Sequence, residues 1–225
     1  MNNLIILNKI TKTFLTSKKI NVLKKINYKF KKGKVYSLVG PSGSGKSTLL
    51  NILSLIDRPS IGSVKIEKND INFSNTSMID KIRAKKIGII YQQNNLLPDF
   101  TALENVAIPL IIRNQNYKNS IEKAKKVLAK VNLSHRLNYF PSDLSGGEQQ
   151  RVAIARSLAA DTKIILADEP TGNLDYKTSN EVFSYFLKLK EKNKTILIAT
   201  HNRELAKKAD YTLSLVNGNI KRKGK

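Results

Sequence analysis

The sequence predicts an α/β fold built on a mostly parallel sheet, and three features predict it. Short apolar runs alternate with longer stretches of helical periodicity. The runs "KVYSLVG", "KIGIIY", "KIILAD" and "KTILIAT" are compact and apolar, as strands buried on both faces are. A glycine-rich loop joins the first of them directly to an amphipathic helical segment, "KSTLLNILSLI".

Along the chain, the first 35 residues and residues 61–73 read as short strands of an antiparallel layer. Residues 94–157 show helical patterns and no convincing strand. There, "SIEKAKKVLAKV" puts Ile121, Ala124, Leu128 and Val131 on one face. "LSGGEQQRVAIAR" opens a further helix: Ser145 caps it, Glu148 closes a capping box, and Val152, Ala155 and Ala159 recur at helical spacing. "NEVFSYFLKLK" does the same with Val182, Phe183, Phe186 and Leu187. The expectation is one domain: a core from 1–93 and 158–225 carrying the antiparallel layer, with 94–157 inserted as a helical subdomain. No internal repeat, low-complexity segment or Pro/Gly-rich linker interrupts it.

Composition narrows the setting. The 225 residues are 40% hydrophobic, enough for a real core, and contain no cysteine, which excludes disulfides and thiolate metal sites. The N-terminal apolar run is too short for a signal peptide. "VAIPLII" falls far short of the roughly 20 apolar residues of a spanning helix. The net charge of +23 would suit nucleic acid or an anionic membrane surface. No aromatic-rich basic stripe or nucleic-acid motif accompanies it, so no specific nucleic-acid partner is expected. Lys, Asn and Ile are all abundant and share AT-rich codons, which makes compositional drift the simpler source of the charge.

Four groups of residues carry chemistry. "GPSGSGKST" (Gly40, Pro41, Ser42, Gly43, Ser44, Gly45, Lys46, Ser47, Thr48) fits the phosphate-loop pattern. Its glycines let backbone N–H groups approach phosphates, Lys46 reaches the β and γ phosphates, and the Ser47 hydroxyl suits Mg²⁺. A dinucleotide fingerprint fails, because Thr48 sits where the last small residue should be. "KIILADEP" ends an apolar strand in two carboxylates: Asp168 suits Mg²⁺, and Glu169 suits a general base. His201 follows "TILIAT" at another strand end, within reach of the same crevice, whereas His135 reads as surface. The bare backbone before the helix at Ser145, Gly146 and Gly147 is a second anion site.

The phosphate loop, "LSGGEQQ", "ILADEP", "GNLD" and "ATH" follow one another in this order. Together they resemble the ATP-binding cassette ATPases over essentially the whole chain. The resemblance implies a P-loop NTPase core with a RecA-like sheet, and ATP and Mg²⁺ as ligands. It implies a homodimer packed head-to-tail, in which each ATP lies between one subunit's phosphate loop and the other's "LSGGEQQ". Ser145 and Gly147 then contact the γ-phosphate in trans, with Gly146 between them. Phe14, in "TKTF", matches the aromatic residue that stacks on adenine, where the family more often has tyrosine; a core phenylalanine is the alternative. Gln92 matches the glutamine that senses Mg²⁺ and water, with Gln93 adjacent. Asp175 matches the loop coupling the two sites, and His201 the histidine at the γ-phosphate.

Within the family, "LLPDFTALENVAIPLII" and "ADEPTGNLD" are most similar to ATPases of lipoprotein-releasing systems of Gram-negative bacteria; macrolide-efflux and cell-division ATPases share that subgroup. The implied setting is the cytoplasmic face of the inner membrane, with two integral membrane permease subunits as partners. DNA-maintenance relatives carry long coiled coils between phosphate loop and signature, and none lies between Thr48 and Ser145. Leu96, Leu97, Phe100 and Leu103 are expected to dock a permease helix or to fill the core of the insert.

Overall fold

The computed structural model describes residues 3–15, 17–172, 174–190 and 193–223. In chain order the strands are β1 (Asn3–Leu15), β2 (Lys19–Lys31), β3 (Val35–Val39), β4 (Ile61–Ile66), β5 (Asn69–Asp70), β6 (Ile87–Ile90), β7 (Ile164–Asp168), β8 (Thr195–Ala199), β9 (Tyr211–Val216) and β10 (Asn219–Lys223). The helices are α1 (Lys46–Leu53), α2 (Thr76–Lys86), α3 (Ala102–Ile112), α4 (Tyr117–Lys130), α5 (Gly146–Ala159), α6 (Tyr176–Leu189) and α7 (Arg203–Lys207).

The main sheet has the order β10-β9-β3-β8-β7-β6, with all neighbours parallel except the β9–β10 hairpin. Its central strands look uniformly apolar because both faces are covered. In β7, Ile164 and Leu166 enter one core while Ile165 and Ala167 enter another. In β8, Leu197 and Ala199 alternate in the same way with Ile196 and Ile198. The first core lies under α1 and an antiparallel sheet of order β2-β1-β4-β5. The second is shared with α3, α4, α5 and α6. Gly88 sets the spacing between β6 and α5: a Cβ there would lie 2.5 Å from Ser157 Oγ.

Three features differ from the sequence reading. β1 and β2 run 13 residues each, longer than the short strands expected. Their outer face is rich in exposed lysine, which breaks the apolar run while the pleat continues. The β9–β10 hairpin was not anticipated. Its turn is Asn217-Gly218, with φ of 50° and 78°, the conformation that favours these two residues between paired strands. Lys24 N–H donates to Gly218 C=O at 2.8 Å, which ties the two sheets together. Lastly, α2 is mostly polar with only Ile79 buried, so its periodicity is weak and the Asn75 cap is its main sequence signal. No helix among the described residues is long and apolar enough to cross a membrane.

Candidate functional site

Four parallel strands deliver their C-terminal ends to one cavity of about 580 Å³. From β3 comes the loop Gly40–Gly45; from β6, Gln92; from β7, Asp168 and Glu169; from β8, His201. Ligands of open α/β sheets bind at this edge. Ser44 is the exception within the loop: it is buried beneath the cavity and its Oγ makes no hydrogen bond.

The loop geometry follows from its residues. At Gly40 a Cβ would lie 2.3 Å from Leu215 C=O, so no other residue fits beside β9. Gly45 is the N-cap of α1, with φ 100° and no side-chain cap. Each of the other α-helices has its first turn capped by a side chain: Asn75, Thr101, Asn116, Ser145, Asp175 or Asn202. Among the described residues α1 alone begins without a side-chain cap, and its positive end faces the cavity. Lys46 Nζ donates to the carbonyls of Gly40 (3.0 Å) and Pro41 (3.2 Å), which holds the ammonium over the loop.

Glu169 has a φ of 45°, an unusual conformation for a side-chain-bearing residue, held by its N–H to Ala199 C=O and its C=O from Gly172 N–H. Its Oε2 accepts from His201 N–H at 3.2 Å and lies 2.9 Å from His201 Nδ1. The carboxylate is thus aimed by the histidine. The oxygen donors here are the Ser47 hydroxyl, the Gln92 amide and the Asp168 and Glu169 carboxylates. Two carboxylates and two neutral oxygens suit Mg²⁺ held jointly with phosphates, and no cluster of three His, Cys, Asp or Glu among the described residues suits a protein-only metal cage.

The other expected site residues stand apart from this cavity. Ser145 and Gly146 are exposed at the mouth of α5, where Ser145 and Glu148 form the expected capping box. Asp175 caps α6, and the Thr178 hydroxyl and N–H hold its carboxyl below the usual range. Phe14 is 40% exposed, with Lys12 Nζ 5.0 Å above its ring; it pairs with Ile20, two residues before the cavity-lining Val22. Asn173, within "GNLD", lies outside the described residues.

Two residues missed in the sequence organise the segment after Gln92. Buried Asn105 accepts from Leu97 N–H and donates to the carbonyls of Leu97, Phe100 and Thr101. Arg156, near the end of α5, donates to the carbonyls of Asn94 and Asn95. Of the four apolar residues expected to dock or fill a core, Leu96 and Leu103 pack on the helical core, whereas Leu97 and Phe100 are exposed. A separate, largely apolar groove of about 580 Å³ lies between α2, β6 and the C-terminal ends of α3 and α5, lined by Ala84, Ile87, Pro109 and Ile112.

The model of the family described as ABC transporter matches residues 23–172. The chain belongs to this family. A "Lipoprotein-releasing system ATP-binding protein LolD" of Rickettsia bellii is 50% identical over 200 residues, 88% of each chain. The protein of that name from Wigglesworthia glossinidia brevipalpis is 45% identical over 227 residues, 99% of each. The fold matches a dimeric post-hydrolysis structure of the ATP-binding cassette MJ0796 bound to ADP and Pi, with a TM-score of 0.92, 40% identity and 98% of each chain covered. The chain is therefore an ABC ATPase that couples ATP hydrolysis to transport.

Proposed function

We propose that this chain is the ATP-hydrolysing subunit of a lipoprotein-releasing transporter, acting as a homodimer with two membrane permease subunits at the cytoplasmic face of the inner membrane. The cargo reading is supported by relatives of that name at 45–50% identity over most of the chain. The dimer reading is supported by one observation above the rest. The phosphate loop lines the cavity, whereas the exposed start of α5 at Ser145 and Gly146, a second helix N-terminus that a phosphate can approach, stands apart from it and is free to meet the nucleotide of another copy.

In this reading the loop N–H groups and Lys46 hold the phosphates of ATP, and Phe14 packs on the base. Ser47, Asp168 and Gln92 would hold Mg²⁺, which would supply charge neutralisation for the phosphates. Glu169, aimed by His201, takes a proton from the attacking water. Ser145, Gly146 and Gly147 of the partner copy close over the γ-phosphate, and Asp175 sits in the loop that couples the two sites. Gln92 passes the change to the helices of 94–157 through the segment that Arg156 and Asn105 hold. The apolar groove lined by Ile112 receives a permease helix.

The test is reconstitution of the chain with the permease subunits of its own genome in proteoliposomes carrying an acylated lipoprotein. ATP-dependent release of the lipoprotein supports the reading. ATP-dependent movement of a macrolide without lipoprotein release would replace it.

A further inference from the structure

At the mouth of α5, Glu148 has two opposed effects. Its carboxylate closes the capping box: Ser145 N–H donates to Oε2 at 2.9 Å, and Glu148 N–H donates to Ser145 Oγ at 3.3 Å. A carboxylate in the first turn is favoured by the helix dipole. That dipole is also what draws a phosphate to Ser145–Gly147, and two anions at one helix end repel each other.

Arg136 meets this conflict. It ends a short 3-10 turn, Ser134–Arg136, and its Nε donates to Glu148 Oε1 at 2.9 Å. The guanidinium lies 4.5 Å from the centre of the Tyr139 ring, which fixes its plane from the other side. The Glu148 side chain is 13% exposed and that of Arg136 31%, so the pair sits at the surface edge and its attraction is partly screened by solvent. Both Glu148 oxygens are thereby engaged. Burial alone would raise the Glu148 carboxyl, but the Ser145 N–H and Arg136 outweigh it and hold it below the usual range. One turn further on, Arg151 NH1 is 3.8 Å from where a Gly147 Cβ would stand, and Arg151 makes no ion pair among the described residues.

We infer that Arg136 is a positioning residue for the nucleotide sandwich: by neutralising Glu148 it keeps the α5 mouth receptive to the γ-phosphate of an ATP held by a second copy of this chain. The inference rests on the proposed trans site. Without the guanidinium, Glu148 faces the phosphate uncompensated. The cost falls on ATP-driven closure and spares nucleotide binding by each monomer's own loop.

The experiment compares Arg136→Gln, Arg136→Lys, the double variant Arg136→Gln/Glu148→Gln, and Gly147→Glu in the full chain. It reads KM and kcat for ATP, ATP-dependent dimer mass by light scattering, and ADP affinity by titration. Arg136→Gln should raise KM and the ATP needed for dimerisation by about 5- to 30-fold, the range one charge at a partly buried helix end carries. ADP affinity should not move. Arg136→Lys keeps the charge and should stay near the unaltered protein, and the double variant should recover. The inference is overturned if Arg136→Gln behaves normally, if the double variant is as impaired as Arg136→Gln, or if Lys fails as badly as Gln. Should Arg136→Gln fold poorly, the Lys and double variants still decide. Gly147→Glu separates the two levels: if it dimerises normally with ATP, the trans site itself is wrong.

Discussion

Replacing Glu169 by glutamine should leave the ATP site assembled and nearly stop turnover. The geometry explains why the two separate. Oε2 of Glu169 accepts from His201 N–H at 3.2 Å and sits 2.9 Å from His201 Nδ1. Glutamine keeps an acceptor oxygen of the same reach, so both contacts persist as neutral hydrogen bonds of about 1 kcal/mol each. The backbone conformation at φ 45° is unchanged in demand. Glutamine cannot take a proton. A positioned general base contributes about 10²–10⁴ in rate, which is roughly 3–5.5 kcal/mol of barrier. The phosphate loop, Lys46 and Asp168 are untouched, so ATP should bind and close the dimer without being consumed. Light scattering should then show about twice the 25.3 kDa chain mass in ATP, persisting for many normal turnover times. Turnover within about threefold of the unaltered protein would refute the assignment of Glu169 as base.

Lys46→Ala should weaken nucleotide binding by about 10- to 150-fold, the worth of a charge-assisted hydrogen bond of roughly 1.5–3 kcal/mol, read by titration with ADP. Ile112→Glu, at a position 75% exposed in the apolar groove, should abolish co-purification with the permease while shifting stability by no more than about 0.5 kcal/mol. A sharply lowered melting temperature would instead make Ile112 a core residue. Glu67 accepts from Lys163 and Lys86, which hold its carboxyl at about 2 in the fold. This stability is present above pH 4.5 and is lost as pH falls toward 2. With the Glu67 side chain 30% exposed and that of Lys163 58%, solvent screening reduces it to about 1 kcal/mol. Glu67→Gln should therefore melt about 2–4 °C lower at pH 7 and converge with the unaltered protein near pH 2. A constant difference across that range would remove the ion pairs as its cause.

The central strands were legible because burial on both faces leaves an uninterrupted apolar run, as in Ile164–Ala167. The phosphate loop and the capping box were legible because their geometry is local to a few residues. What failed to show in the sequence depends on partners far along the chain. Arg156 meets Asn94 and Asn95, and Arg136 meets Glu148, only once α5 has packed. Asn105 carries no signal of its own in the sequence, because its role depends on the loop from Leu97 to Thr101 folding onto it. The division of Leu96 and Leu103 from Leu97 and Phe100 is likewise a tertiary fact, since all four look alike in sequence. The β9–β10 hairpin is different. Its Asn217-Gly218 signal was present in the sequence, between residues of alternating polarity.

The central claim is that each ATP site draws its phosphate loop from one copy and its α5 mouth from the other. Mixing Lys46→Ala chains with Gly147→Glu chains tests it directly. Each variant alone spoils both sites of its own dimer. In a mixed head-to-tail dimer one site collects both lesions, and the other combines the intact Lys46 of one chain with the intact Gly147 of its partner. With random pairing, half the dimers are mixed and half their sites are whole, so ATPase activity should recover to about a quarter of the unaltered protein. Activity that stays at the sum of the two inactive parents, in samples where mixed dimers are seen to form, would contradict the claim.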